Sequence, residues 1–281
     1  MSAVTRTGSV RGVGDLRLVG RQVYYEQLGF WLNPVAAVFT IGFSVVFLVL
    51  IASTSGNPRL SQLHGLHEIQ YQVPAFAAYG VMAACFNTLA ISLVVRREMG
   101  LLKRLRLSPL PTWVMLGAVF VNALIISLVQ VVVMILIGKF GCHVALPHNV
   151  GASVVALVVG ALCFTSLGMA GSTMIPNQEA AGPMVSIVFF VLLFLSGLYY
   201  PISPNSGLAQ FSSYFPVRHM ILAACAPFDL RPGVSGWSWG DIRVMAYWGV
   251  GGLVVAARRW SWAPRRSDPA HTGGFRLAGR R

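Results

Sequence analysis

The sequence predicts an all-α integral membrane protein with six transmembrane helices. Apolar residues make up 56% of its 281 residues and charged residues only 10%, whereas an ordinary soluble domain is about 25% charged. Six stretches approach the ~20 apolar residues that a helix needs to cross the hydrocarbon core of a bilayer. So few charges could not cover a water-facing surface, which excludes a soluble enzyme and a disordered chain.

The six predicted spans each end at a polar or helix-breaking sequence. The sixth is the weakest, because it is short and has charged residues on both sides. The spans cover residues 34–52, 73–95, 113–137, 150–175, 182–200 and 244–257.

The distribution of basic residues orients these spans. Sixteen of the 21 lysines and arginines lie before span one, between spans two and three, or after span six. Because positive residues accumulate in cytoplasmic loops, both termini are predicted to be cytoplasmic. The chain then divides into a leader with an interfacial helix (1–32), a six-helix membrane domain (33–257) and a basic cytoplasmic tail (258–281). The net charge of +13 is thus explained by topology, and no nucleic-acid partner is expected.

Two segments outside the spans are predicted to lie against the bilayer. Residues 15–31 place their apolar side chains on one helical face, as in helices that lie flat on the cytoplasmic leaflet. A flexible basic leader is the alternative. The connection after span five, 199–226, is too apolar for a simple solvent loop, and we expect short re-entrant helices in the outer leaflet.

The basic loop 96–111 is the most informative segment. Leu101, Leu102 and Leu105 form a short apolar ridge surrounded by charge, and Pro109 and Pro111 end the helix. A helix of two or three turns does not stand alone in water, so it needs a surface to rest on. The residues leave two surfaces open, which are lipid headgroups and a groove in a cytosolic protein.

Motifs for chemistry within this chain are missing. The sequence has no GxxxxGK[ST] phosphate loop, so this chain is not expected to bind ATP in that way. Its histidines lack the order or the ligand count of a zinc site, and no metal site is expected. The cysteines show no CxxC pair, and a disulfide between Cys142 and Cys225 is left open.

The predicted spans carry no central charge of the kind that ion-coupled carriers use. Their polar residues are mild, and most are expected to bond to helix backbones or to neighbouring helices. A minority could line a route for an amphiphilic substrate, and the candidates are Asn87, Asn122 and Gln130.

Two passages resemble the permease subunits of type-2 ABC exporters, in particular the daunorubicin-resistance-like drug permeases. The first, REMGLLKRLRLSPLP at 97–111, is similar to the family's coupling segment, although Met99 and Leu101 depart from its usual basic residue and threonine. The second is similar to the family's span-five signature and extends to His219. Its positions are Glu179, Pro183, Ser196, Gly197, Pro201 and Pro216.

The resemblance implies a subunit of the cytoplasmic membrane that works with a separate ABC ATPase. ATP and Mg²⁺ would bind to that partner, and no cofactor is expected in this chain. A coupling helix would dock in a groove of the ATPase, with Leu102 and Leu105 as apolar anchors and with Arg97 and Arg104 paired to acidic residues. The coupling residues would be Arg97, Glu98, Gly100, Leu101, Leu102, Arg104 and Leu105. Six spans enclose too little for a full pathway, so a second permease, identical or related, is expected.

The predicted function is that of a non-enzymatic permease that exports a drug or a lipid-like substrate. Export of a polysaccharide or another envelope component by the same architecture is the nearest alternative. A membrane scaffold or a membrane enzyme is the alternative from another class.

Overall fold

Helix accounts for nearly all regular structure, because a backbone in hydrocarbon must satisfy its own N–H and C=O groups. The computed structural model describes residues 12–54, 56–60, 66–100, 112–199, 206–229, 231 and 233–259. Their helices are α1 Gly12–Trp31, α2 Pro34–Ala37, α3 Phe43–Thr54, α4 Glu68–Met82, α5 Leu89–Glu98, α6 Thr112–Cys142, α7 Val150–Ser172, α8 Gln178–Ser196, α9 Gly207–Ser212, α10 Pro216–Cys225 and α11 Trp239–Arg259.

Strand structure in this part of the chain is confined to one two-residue ladder. Strands β1 (Arg59–Leu60) and β2 (Leu66–His67) pair antiparallel in the connection between α3 and α4. The prediction of an all-α membrane protein is therefore confirmed at the level of fold class.

Four helices are long and apolar enough to cross a bilayer, and they correspond to predicted spans two to five. They are Glu68–Glu98, Gly117–Cys142, Val150–Ser172 and Gln178–Ser196. The first predicted span is helical but interrupted, and its apolar part, Thr40–Thr54, is shorter. The sixth lies within α11, whose first turn carries Asp241 and whose last turn carries Arg258 and Arg259. Among the described residues, six full-length spans are therefore not established.

Two membrane helices contain a π-helical turn. Val38–Gly42 joins α2 to α3, and Ala83–Thr88 joins α4 to α5. A π turn inserts an extra residue into the helical repeat and is frequent at functional sites. The faces of the helix on either side of the turn are therefore offset from each other.

The helices pack closely where one of them presents a glycine. A Cβ added at Gly168 of α7 would lie 2.8 Å from the carbonyl oxygen of Cys85 in the second π turn. Helix α11 also approaches α7 at two of its glycines. A Cβ at Gly249 would lie 3.2 Å from the Cα of Cys163, and one at Gly252 would lie 3.1 Å from the backbone of Leu167. Because small residues let helix backbones approach each other in membranes, α7 serves as the central contact of the bundle.

Helix α8 has a broad apolar face that the described residues leave uncovered. Its exposed large side chains are Met184, Ile187, Val188, Phe190, Val191 and Phe194. A patch of this kind in a water-soluble protein would mark an interaction site. In a membrane helix it suits contact with lipid or with another membrane chain.

The connection after α8 contains the short helices α9 and α10, in the region where re-entrant helices are predicted. Most apolar side chains of α10 are buried, and Met220 lies over Gly160 of α7. His219 of α10 joins this region to the start of α11. Its Nδ1 lies 2.6 Å from Oδ1 of Asp241, and its Nε2 lies 2.8 Å from the carbonyl oxygen of Ser213.

Both partners of the His219 ring are acceptors, so both ring nitrogens donate only when the imidazole is protonated. The hydrogen bond to Asp241 is the main cause that raises the pKa of His219 above its ordinary value, and nearby Arg218 acts in the opposite direction. Both hydrogen bonds of His219, to Asp241 of α11 and to the carbonyl oxygen of Ser213, therefore form together only when the imidazole is protonated.

We expect Gly168→Ala to lower the stability of the purified protein, because its Cβ would contact backbone atoms that belong to another helix. Overpacking of this kind costs about 1–3 kcal/mol. Thermal unfolding in detergent measures the effect. Gly251→Ala in α11 is the matched control, since nothing lies within 4 Å of its Cβ. Equal unfolding temperatures for the two variants would contradict the close α7 contact.

We expect the contribution of His219 to stability to depend on pH. Because its pKa is raised in the folded protein, the contribution is fully present below the unfolded value of about 6.5 and is lost as the pH rises through the folded value. Thermal unfolding measured from pH 5.5 to pH 9 gives this loss, because the range begins roughly one unit below the unfolded pKa and ends well above it. His219→Gln should remove this pH dependence, and an unchanged profile in the variant would contradict the assignment.

Candidate functional site

A cavity of about 810 Å³ opens between α1, the two π turns, α5, α6 and α8. Both interrupted helices contribute to its wall through their π turns, which supply Thr40 from the first and Asn87 from the second. Its other polar or charged lining residues are Tyr25, Glu26, Asn33, Tyr79, Thr88, Ser92, Arg96, Asn122 and Ser186. The cavity thus places hydrogen-bonding groups inside an otherwise apolar bundle.

Two of the three residues predicted to line a substrate route lie in this wall. Asn87 and Asn122 face the same cavity from different helices, and the Oδ1 atom of each has no hydrogen-bond partner among the described residues. Unsatisfied buried polar atoms are rare in folded proteins, because each costs about 1–3 kcal/mol. These two amides are therefore candidates for contact with a bound molecule.

Gln130, the third predicted residue, is not part of the cavity lining. It packs on the backbone of α4 at Gly80, where a Cβ would lie 2.2 Å from the Gln130 side chain. Its amide atoms also lack a partner among the described residues, as do those of Gln72. An unpaired amide alone therefore does not identify a binding site, and the side chain of Gln130 lies in a helix contact at Gly80 and not in this cavity.

Aromatic rings form one side of the cavity. The ring of Tyr79 lies 5.6 Å from that of Phe43 and 5.6 Å from that of Phe189, measured between centroids. All three residues line the cavity, and they belong to α4, α3 and α8. A continuous aromatic wall of this kind suits a planar apolar group.

An ion pair lies in the cavity wall where α5 meets α1. The two terminal nitrogens of Arg96 each lie 2.5 Å from a different carboxylate oxygen of Glu26, which is a bidentate pair. The Glu26 side chain is only 7% exposed and that of Arg96 is 30% exposed. Sequence reasoning missed this pair, although Glu26 is a lone acid near a cluster of basic residues.

Arg97, the next residue, makes its contacts on the opposite side, within the protein interior. It is 4% exposed, and its terminal nitrogens donate to the carbonyl oxygens of Ser172 (3.2 Å) and Ile175 (2.7 Å). Ser172 ends α7, so the guanidinium caps carbonyls that the helix leaves unpaired. This arrangement disagrees with the expected pairing of Arg97 with acidic residues of a partner, because the chain's own carbonyls already take its donors.

The described residues include only the beginning of the predicted coupling segment. Glu98 accepts a hydrogen bond from Nε of Arg97 (3.3 Å), and Gly100 has a φ of +69°, the left-handed conformation that commonly ends a helix. Leu101, Leu102, Arg104 and Leu105 lie outside the described residues. The structure therefore shows how the start of this segment is held, through the contacts of Arg97 and Glu98. The helix proposed to dock on a partner stays a prediction.

The span-five signature residues lie along α8 and at the start of α10, and one of them, Gly197, ends α8. Glu179 lies in the first turn of α8, Pro183 lies within the helix, and Gly197 terminates it with a φ of +78°. Ser196 Oγ donates to the carbonyl oxygen of Leu193 at 2.5 Å. Pro216 is the first residue of α10, and Pro201 lies outside the described residues. The signature thus positions the α8 residues of the cavity, Ser186, Phe189 and Phe190, and does not itself line it.

No site for a metal is found in the part of the chain that the structure describes, where no group of three His, Cys, Asp or Glu side chains lies close enough to hold an ion. Cys142 and Cys225 are both free thiols in this structure. The alternative of a disulfide between them is therefore not supported.

Helices long enough to cross a membrane and a cavity inside their bundle are features that transport permeases share. The sequence model of the ABC-2 type transporter family matches residues 21–228, which is most of the chain. This chain therefore belongs to the ABC-2 type transporter family, as its two signature passages suggest.

Similar proteins include the "Putative transport permease YvfS" of Bacillus subtilis (strain 168). It is 26% identical over 188 residues, which cover 66% of this chain and 70% of the relative. The "Probable multidrug ABC transporter permease YbhR" of Escherichia coli (strain K12) is 24% identical over 150 residues, which cover 53% of this chain but only 41% of the relative.

We expect Arg97→Met to destabilise the protein by about 1–3 kcal/mol, because it leaves the carbonyl groups of Ser172 and Ile175 without their donor. Arg97→Lys should recover only part of this loss, since one ammonium group does not reproduce the guanidinium fork. Thermal unfolding measures both. The control is Arg243→Met at an exposed position of α11, and an equal loss there would contradict the assigned role of Arg97.

Proposed function

We propose that this chain is the membrane permease subunit of an ATP-driven exporter of hydrophobic or amphiphilic molecules, either drugs or lipid-like compounds. The observation that carries the proposal is the cavity lined by Asn87, Asn122 and Tyr79 within an ABC-2 family bundle. A pocket that combines apolar walls with a few polar groups is the usual form of a small-molecule site.

The size of the cavity favours a small substrate over a polymer. Its volume of about 810 Å³ falls within the range of about 300–1,000 Å³ that is typical of sites for drug-sized ligands. Similarity to a protein described as a probable multidrug permease points in the same direction.

The proposed topology has six membrane crossings in the cytoplasmic membrane, with both termini in the cytoplasm. Helices α3 and α11 would complete the four longer spans, and the short helix α10 would re-enter the outer leaflet. Support comes from the sixteen basic residues that this topology places on the cytoplasmic side, against five on the other. Arg96 and the following loop would then face the cytoplasm.

Hydrolysis of ATP would occur in a separate ABC ATPase that binds ATP and Mg²⁺ and docks on the segment from Arg97 to Leu105. Movement of this segment would reach the cavity along two routes. Arg96 connects it to α1 through Glu26, and Arg97 connects it to the junction of α7 and α8. Both α1 and α8 line the cavity, so a displacement of α5 would move two of its walls.

A second permease, identical or related, would cover the exposed apolar face of α8. It would also cover the exposed apolar side chains of α3, which are Val46, Val49 and Leu50. Both helices contribute to the cavity, which a second chain would thus enclose more fully.

We expect replacement of Leu102 and Leu105 together by Asp to release the ATPase. The two leucines would lose an apolar groove, and burial of one leucine contributes about 1.5–3 kcal/mol. Binding should therefore weaken by at least about tenfold, which corresponds to roughly 1.4 kcal/mol. Co-purification of the tagged permease with its ATPase measures binding, and ATP-dependent uptake of an amphiphilic dye into inside-out vesicles measures transport.

Leu146→Asp is the matched control, because Leu146 is an exposed leucine beyond the other end of α6. It should retain both the ATPase and uptake. Retention of the ATPase by the double variant, or labelling of cysteines at 101–105 from outside intact cells, would show that the docking segment is wrong. Absence of ATP-dependent uptake by the wild-type complex, for a panel of amphiphilic dyes, would contradict the proposed function as a whole.

A further inference from the structure

The charge within the cavity wall is already neutralised. Among the described lining residues only Glu26 and Arg96 are charged, and the two form a bidentate pair with both N–O distances at 2.5 Å. Glu26 is nearly buried and also accepts a hydrogen bond from Gln22 at 3.3 Å. Each carboxylate oxygen of Glu26 thus already accepts from a terminal nitrogen of Arg96.

An ionic substrate would therefore enter this cavity without a counter-ion. A cation could pair with Glu26 only by displacing Arg96, and an anion could pair with Arg96 only by displacing Glu26. Displacing Glu26 would leave a carboxylate that is only 7% exposed without its charged partner, and displacing Arg96 would break both of its hydrogen bonds to Glu26, so either exchange disfavours the bound state. The ion pair thus acts against charged ligands of both signs.

The remaining polar groups of the wall suit an uncharged ligand. The amides of Asn87 and Asn122 come from two different helices, and neither Oδ1 has a partner among the described residues. Both Oδ1 atoms are buried, so a ligand hydroxyl or N–H group would reach them only after the amide turns toward the cavity. Gln72 and Gln130 have both amide atoms unpaired but lie outside the cavity lining, whereas the two asparagines border a cavity that can hold such a ligand.

The aromatic wall specifies the apolar part of the ligand. The centroid of the Tyr79 ring lies 5.6 Å from that of Phe43 and 5.6 Å from that of Phe189, with the ring planes tilted by 37° and 45°, which is within the range of distances at which aromatic rings contact each other. A flat ring system inserted beside them would contact all three helices to which they belong.

We infer that the cavity binds uncharged amphiphiles that combine an aromatic ring system with a hydroxyl or N–H group, and that it rejects ions, including charged lipid headgroups. This inference rests on the proposed function and names the substrate class of the same site. It assigns Asn87 and Asn122 as specificity-determining residues and the Glu26–Arg96 pair as the element that excludes charge.

Three probes with the same ring and linker test the inference: pyrenebutanol, pyrenebutyrate and pyrenebutyltrimethylammonium, which are neutral, anionic and cationic at pH 7.5. The permease–ATPase complex in nanodiscs is titrated with each probe, and the half-saturating concentration for stimulation of ATP hydrolysis is corrected for partition into empty nanodiscs. We expect pyrenebutanol to half-saturate at a concentration at least about tenfold lower than either ionic probe, a factor that corresponds to roughly 1.4 kcal/mol.

Variants connect this preference to the cavity. Asn87→Leu and Asn122→Leu should each raise the half-saturating concentration of pyrenebutanol about five- to tenfold, roughly the loss of one hydrogen bond. Gln130→Met is the matched control, because it also removes an unpaired buried amide but lies outside the cavity lining. It should leave the value unchanged.

Each outcome decides between the alternatives. Equal or better stimulation by an ionic probe overturns the selection against charge, and unaltered stimulation in both asparagine variants overturns their assignment to the site. A complex that hydrolyses ATP and exports dye but responds to none of the three probes also overturns the inference, while the proposed function stands. A wild-type chain that assembles with no ATPase overturns the proposed function itself.

Discussion

The constraint on which the rest of this structure depends is the lack of water inside a lipid-embedded bundle. A polar group in that environment must find its partner within the chain or leave its hydrogen-bonding capacity unused. Arg97 meets this requirement by donating to carbonyl oxygens at the end of α7 and just beyond it. Asn87 and Asn122 do not meet it, and both border the cavity. Among the described residues, Ser44, Gln72, Gln130 and Thr165 also carry unpaired polar atoms but lie outside the cavity lining, so it is the position beside the cavity that distinguishes the two asparagines.

The same constraint gives two consecutive arginines different positions in the bundle. Neighbouring residues on an α-helix point about 100° apart, so the end of α5 reaches two separate elements at once. Arg96 pairs with Glu26 of α1, and Arg97 holds the junction of α7 and α8. Arg96 and Arg97 therefore connect the end of α5, where the segment proposed to bind the ATPase begins, to two walls of the cavity. No flexible linker intervenes between α5 and these contacts.

The shape of the bundle arises from close contacts at glycines and from two π turns. Gly168 lets α7 approach the backbone of the second π turn, and Gly80 admits the side chain of Gln130. The π turns themselves lie in the cavity wall, where they supply Thr40 and Asn87. Tight packing on one side of the interrupted helix Glu68–Glu98 thus coexists with an open space on its other side. A protein that must be rigid around a binding space requires both features.

The sequence alone determined the membrane class, four of the long helices and the family, because apolar length, turn residues and signature passages are local properties of the chain. It also singled out Asn87 and Asn122, which line the cavity, since polar residues within apolar spans are conspicuous. It did not determine that Gln130 lies in a helix contact, that Arg97 is buried or that Glu26 pairs with Arg96. These outcomes depend on which helix faces which, and Glu26 and Arg96 are seventy residues apart. Only the tertiary structure decides such pairings, because the free energy of a buried polar group depends on the partner that packing brings to it.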